Sequence, residues 1–170
     1  MKPVYLALVS ALFATSSCAT SGSRDAKVNL VDGKVCFTTS AEARITVDRI
    51  NVIHITGQAT DWKATPKFMW ILSAQVPTKP IELLANECIE YGKLKSGMTA
   101  LRDAQTLLPQ TTYSVFIAGK PLETTQNIIG YRATFCLIPA TDGQTIAAAT
   151  VYDRAENKWL DSRCTAAAPK

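Results

Sequence analysis

The stretch Leu107-Leu108-Pro109-Gln110-Thr111-Thr112-Tyr113-Ser114-Val115-Phe116-Ile117 carries the strongest fold signal in this 170-residue chain. From Thr111 to Ala118 apolar and polar residues alternate, the period of a half-buried strand. Residues 130–138 (GYRATFCLI) read as the next strand, joined through the polar loop 120–127. Residues 144–152 and 158–164 look like a closing hairpin over 153–157. Upstream, residues 67–74 (KFMWILSA) are apolar on both parities. That predicts a central strand covered on both faces, with Trp70 in the core. Residues 44–56 (RITVDRINVIHIT) are strongly β-branched. Ile45 and Val47 alternate, then Ile50 and Val52 alternate on the other parity. The slip at Asp48–Arg49 predicts a bulge or a break between two strands. Residues 34–39 form the first clear strand, behind the turn signal Asp32-Gly33. Residues 81–91 suit a strand pair or a short helix, and residues 100–108 are ambiguous, with some helical character. Repeated short strands with turn signals predict an all-β domain.

The segment 107–117 resembles the L-x-P-x-T-x-Y-x-V-x-V segment of fibronectin type III domains. The resemblance implies an immunoglobulin/fibronectin type III-like β-sandwich with a C-terminal hairpin. In such sandwiches the tyrosine, here Tyr113, opens a strand and its hydroxyl bonds back to the backbone at the corner.

The N-terminus reads as an export signal. Lys2 is followed by the apolar run 4–14 (VYLALVSALFA) and the small residues Thr15, Ser16 and Ser17. The run is too short for a bilayer, which needs about 20 residues. Cys18 follows at once, and the arrangement resembles the bacterial lipobox, whose cysteine receives a lipid and becomes the mature N-terminus. Thr15 stands where that pattern prefers Leu, and cleavage after Ala19 is the alternative. The expected organisation is a signal peptide over 1–17, a tether over 18–33, a single domain over 34–164 and a tail over 165–170. The lipidated chain is expected in the periplasm, at the inner leaflet of the outer membrane.

Composition fits an ordinary globular domain, with 47% hydrophobic and 19% charged residues. The net charge of +4 is diffuse and no Lys/Arg block is present, so nucleic acid is not an expected partner. Cys36, Cys88, Cys136 and Cys164 remain after Cys18. An even number in an exported chain predicts two disulfides in an oxidising compartment. They lack a C-x-x-C pair and a histidine at ligand spacing, which argues against zinc. Sequence alone leaves three pairings open.

No catalytic constellation stands out, and no enzyme, cofactor or metal is expected. His54 is the one histidine and lies in the β-branched run, where it reads as a strand residue. A serine hydrolase would need it as base, with an orienting carboxylate and an exposed serine, and no G-x-S-x-G elbow occurs. Glu87 and Glu90 flank Cys88 and read as surface acids. There is no phosphate-binding glycine pattern. Trp62, in the loop 58–65, is a candidate docking anchor, because interface hot spots favour Trp, Tyr and Arg. Lys63 beside it, and Lys120 and Glu123 in the second loop, complete the expected partner-binding set.

The order of short motifs carries a second resemblance: a lipoprotein signal, G-K-V-C-F (33–37), E-x-R-I (42–45), E-C-I (87–89), Y-S-V-F (113–116) and F-C-L (135–137). The chain is similar to the type VI secretion immunity periplasmic lipoproteins of Gram-negative bacteria. That implies a protein that binds and neutralises an antibacterial effector toxin, with a lipid anchor in the membrane and no catalytic residues. Two other classes are a structural lipoprotein of the secretion apparatus and a cell-envelope hydrolase built on His54. The expected disulfides join neighbouring segments, Cys36 with Cys88 and Cys136 with Cys164, the second closing the C-terminal strands onto residues 130–138.

Overall fold

The computed structural model describes residues 22–39, 44–55, 66–75, 81–85, 87–122, 128–139, 145–150, 152–153, 158–159 and 164. The elements among them are all β-strands: β1 (Gly22–Val31), β2 (Lys34–Thr39), β3 (Ile45–His54), β4 (Lys67–Ala74), β5 (Ile81–Leu83), β6 (Ile89–Glu90), β7 (Met98–Arg102), β8 (Thr112–Pro121), β9 (Ile128–Pro139), β10 (Thr145–Ala149), β11 (Tyr152–Asp153) and β12 (Lys158–Trp159). The main sheet runs β6-β2-β1-β9-β8-β3-β4-β7, with β10 added to β9 and β5 added to β3.

This sheet curls over itself. Phe37 of β2 lies 5.6 Å from Phe135 of β9, and Tyr91, just past β6, lies 5.2 Å from Trp70 of β4. In sheet order those strands are not neighbours, so the β6-β2 end has folded over the face made by β9, β8, β3 and β4. One buried cluster fills the space between, and it includes Phe37, Ile50, Val52, Trp70, Val115 and Phe135. The Tyr91 hydroxyl donates to the carbonyl of Gln105 at 2.7 Å, which seats the ring in this lid. Burial pushes the Tyr91 phenol up to about 12, so it stays a donor at any physiological pH.

The parity slip in β3 is a bulge within one strand. Pairing with β8 shifts register between Val47 and Arg49, which leaves Asp48 as the extra residue. Asp48 and Arg49 are exposed, while Ile45, Val47, Ile50 and Val52 are all fully buried. The bulge therefore resets the alternation so that both halves of β3 face the same core. Gly119 sits opposite Val47, and a Cβ there would collide with the carbonyl oxygen of Thr46.

Two expectations are corrected and a third is shortened. The segment 18–33 is not a tether from Gly22 onward, because Gly22–Val31 is a strand of the sheet. Its first residues pair in parallel with β9 through the backbone, a ladder that needs no apolar side chains. Its second half pairs with β2 and buries Ala26 and Val28. The helical character of residues 100–108 is not realised. β7 occupies Met98–Arg102, where Met98 alone is buried, and pairs with β4. The expected closing hairpin is present in a shorter form, the antiparallel ladder Tyr152↔Trp159 and Asp153↔Lys158, while Thr145–Ala149 lies antiparallel on β9.

Both disulfides join the segments expected from sequence. Cys36 on β2 bonds Cys88 beside β6, with Cα atoms 5.4 Å apart, and Cys136 on β9 bonds Cys164 at 5.5 Å. The second bridge lies with Ile138 in a separate small buried cluster. There the Thr112 hydroxyl donates to the carbonyl of Cys164 at 2.6 Å, which ties the C-terminal segment to β8.

Candidate functional site

β3 sets the two ends of the domain. Its first residue, Ile45, pairs with Pro121 of β8 and Leu83 of β5. Its last, His54, pairs with Tyr113 of β8 and Lys67 of β4. Nine residue steps separate the two, roughly 30 Å of strand. The segment carrying Trp62 and Lys63 leaves past the His54 end. Lys120 is exposed at the other end, where its carbonyl accepts the Thr46 hydroxyl at 3.2 Å, and Glu123 follows it in sequence. The strand ends that anchor the two expected contact loops are thus not brought together. Trp62, Lys63, Glu123 and Cys18 themselves lie outside the described residues.

The His54 end is tightly braced. The Leu108 N–H donates to the Tyr113 hydroxyl oxygen at 2.8 Å. Gln110 turns with φ 56°, in the left-handed region, and its N–H donates to the Leu137 carbonyl at 2.7 Å. The Ile55 N–H donates to the Thr112 carbonyl at 2.9 Å. These bonds hold the corner before β8 against the exits of β3 and β9. The His54 ring lies 5.7 Å from the Tyr113 ring. Burial, helped by the Lys67 charge across the strand, lowers the His54 pKa, so the imidazole is neutral at pH 7. Its two strand partners are a lysine and a tyrosine. A triad would require a carboxylate in such a place, to stabilise the imidazolium.

The two acids beside Cys88 are engaged with cations. Glu87 accepts from Lys95 and from the Leu84 N–H at 3.0 Å. Burial alone would raise its pKa, but the Lys95 hydrogen bond, the Leu84 N–H and the Lys95 charge together hold it below the usual carboxylate range. Glu90 bonds Lys34 at 2.7 Å and faces Lys93 at 3.5 Å, and the Lys34 bond lowers it likewise. A glycosidase acid needs a raised pKa, so both shifts run the wrong way for that role. Among the described residues no group of three or more His, Cys, Asp or Glu is placed to hold a metal ion.

The outer face of β8 and β9 carries a feature that sequence reasoning missed. The Arg132 guanidinium lies 5.3 Å from the Phe116 ring centroid, a cation–π pair between residues opposite in register. A Cβ on Gly130 would meet the Phe116 ring at 2.8 Å and the Ile117 carbonyl at 2.5 Å, so the ring reaches over bare backbone. The alternation of 111–118 and 130–138 puts both residues on outward parity once the hairpin register is known.

What this arrangement offers is a β scaffold whose strand ends are braced by hydrogen bonds at the His54 end. The chain matches no protein-family model, and neither a curated protein nor a solved structure matches it.

Proposed function

We propose that the chain is an exported lipoprotein, anchored through Cys18, that binds and neutralises an antibacterial type VI secretion effector in the periplasm. The observation that carries this reading is the pair of disulfides inside one all-β domain. They fit folding in an oxidising compartment, the destination that the export signal specifies. The resemblance to immunity lipoproteins supplies the kind of partner.

We read the curled sheet as an immunoglobulin/fibronectin type III-like sandwich. The bond of Tyr113 to the Leu108 backbone and the Phe37–Phe135 contact support that reading. Strand-end loops on such a scaffold are the natural recognition surface, and a stable complex buries about 800 Å² on each partner. The segment 58–65, with Trp62, leaves the braced end and is the proposed contact.

The test is survival. Cells that express the neighbouring gene product in their periplasm are challenged with and without this protein. Protection together with co-purification of the two proteins supports neutralisation by binding. Death in both cultures, with the domain folded and exported, overturns it.

A further inference from the structure

Strand register fixes the end from which the N-terminus leaves. Gly22 pairs with Ile128, at the opposite end of β9 from Pro139. The same end holds the Ile45, Leu83 and Pro121 row. Three large apolar side chains stand exposed there: Leu84 at 60%, Leu122 at 44% and Ile129 at 47%. Two of the three, Leu84 and Leu122, have a hydrogen-bonded backbone N–H. The Leu122 N–H donates to the Arg44 carbonyl at 3.0 Å, the Leu84 N–H donates to Glu87, and Ile129 sits where the β1–β9 register shifts. Across this rim the strands run β5, β3, β8, β9, β1. Four interstrand spacings make it roughly 19 Å wide. Lys120 is exposed within it, and Arg44 pairs with Glu82 at 3.7 Å.

We infer that this rim rests on the bilayer surface, with Leu84, Leu122 and Ile129 in the interface and Lys120 among anionic headgroups. The inference rests on the lipidation of Cys18 proposed above. Four residue steps join Cys18 to Gly22, a reach of at most about 14 Å. An anchor at Cys18 therefore keeps the Gly22–Ile128 end against the headgroups, where apolar side chains and a lysine are both favoured. The His54 end stands up to about 36 Å away along β9 and faces the periplasm. Of the two loops expected to bind a partner, the one carrying Trp62 leaves the free end. Lys120 belongs to the end that meets lipid.

The experiment reconstitutes the full lipidated protein in phosphatidylethanolamine/phosphatidylglycerol vesicles whose acyl chains are brominated, which quench tryptophan on contact. Leu122→Trp places a reporter on the rim, and Leu108→Trp places one at the far end; both side chains are exposed, so the fold is kept. The expected result is loss of the added emission for Leu122→Trp and none for Leu108→Trp. Equal quenching, or quenching of Leu108→Trp alone, overturns the orientation. Amide exchange on the unaltered protein gives a second readout: 119–122 and 128–130 slow on reconstitution while 107–111 do not. Mass spectrometry of the same sample separates the two premises. A lipid on Cys18 without rim quenching sinks this inference alone, and an unmodified N-terminus sinks the lipoprotein reading with it.

Discussion

The backbone N–H of Leu108 donates to the hydroxyl oxygen of Tyr113, five residues on, at 2.8 Å. The ring itself is buried against Phe135 at 5.7 Å. One side chain thus packs the core and closes the corner that leads into β8. Tyr113→Phe keeps the ring and loses the acceptor. It should destabilise the domain by about 1 kcal/mol in urea titration, whereas Tyr113→Ala, which also empties the core, should cost about 3–5 kcal/mol. Equal losses for the two variants would show that the hydroxyl has no separate role.

The disulfides close loops of 52 and 28 residues in sequence separation. Chain-entropy arithmetic gives each a contribution of about 4 kcal/mol. Removing either pair by double Cys→Ser substitution should lower the urea midpoint markedly, with the Cys36/Cys88 pair costing slightly more. Non-reducing peptide mapping should recover Cys36 linked to Cys88 and Cys136 linked to Cys164. A peptide joining Cys36 to Cys136 would refute the connectivity.

Falling pH should destabilise this protein in two windows, both of the same sign. His54 has its pKa lowered in the fold, so the unfolded chain binds the proton more readily. Stability is then full above the ordinary histidine value of 6.5 and declines as pH falls through the lower folded value. Glu87 and Glu90 are also lowered, so their contribution is full above 4.5 and is lost below it. His54→Gln should flatten the upper window, and Lys95→Ala with Lys34→Ala the lower one. Melting temperature against pH measures both. A profile unchanged by all three substitutions would contradict these assignments.

Gly119 is required by close approach. Any Cβ there meets the Thr46 carbonyl, which is held in the β3–β8 ladder at the bulge. Backbone cannot yield as a side-chain tip can, so Gly119→Ala should cost about 1–3 kcal/mol or more. Gly33→Ala is the contrast. Its Cβ meets nothing, but the φ of 74° belongs to a tight turn, so it should act through turn strain of about 1 kcal/mol. Circular dichroism melts of both variants check the order.

These cases show which features the sequence announces. The corner at Tyr113 is legible because proline, alternation and tyrosine lie within a few residues. The bulge at Asp48 is legible because core positions must keep one face, so a parity flip has one local explanation. β1 is not legible in its first half. Ser23, Arg24 and Asp25 pair with β9, more than a hundred residues away, and polar residues in a row carry no strand alternation that would announce it. β7 buries Met98 and little else, so it lacks a strand pattern. The loop choices suffered from the same gap. Nothing local tells that the segments after His54 and after Pro121 leave opposite ends of β3, since that is a property of strand direction.

The choice between the two proposed contact loops follows from that direction. If the Trp62 loop at the free end is the anchor for the effector, Trp62→Ala should weaken the complex by about 2 kcal/mol or more with little change in melting temperature. Lys63→Ala should have a smaller, salt-dependent effect, since a rim charge acts mainly on association rate. Lys120→Ala should leave affinity unchanged in solution, because Lys120 sits at the Ile45 end. His54→Ala should leave protection intact, since the proposed reading is binding and His54 is a strand residue with a lowered pKa. Calorimetric titration with the effector gives the affinities, and survival of cells expressing the effector in their periplasm gives protection. Abolition of protection by His54→Ala, with fold and complex preserved, would replace binding by a catalytic antidote in which the imidazole takes part.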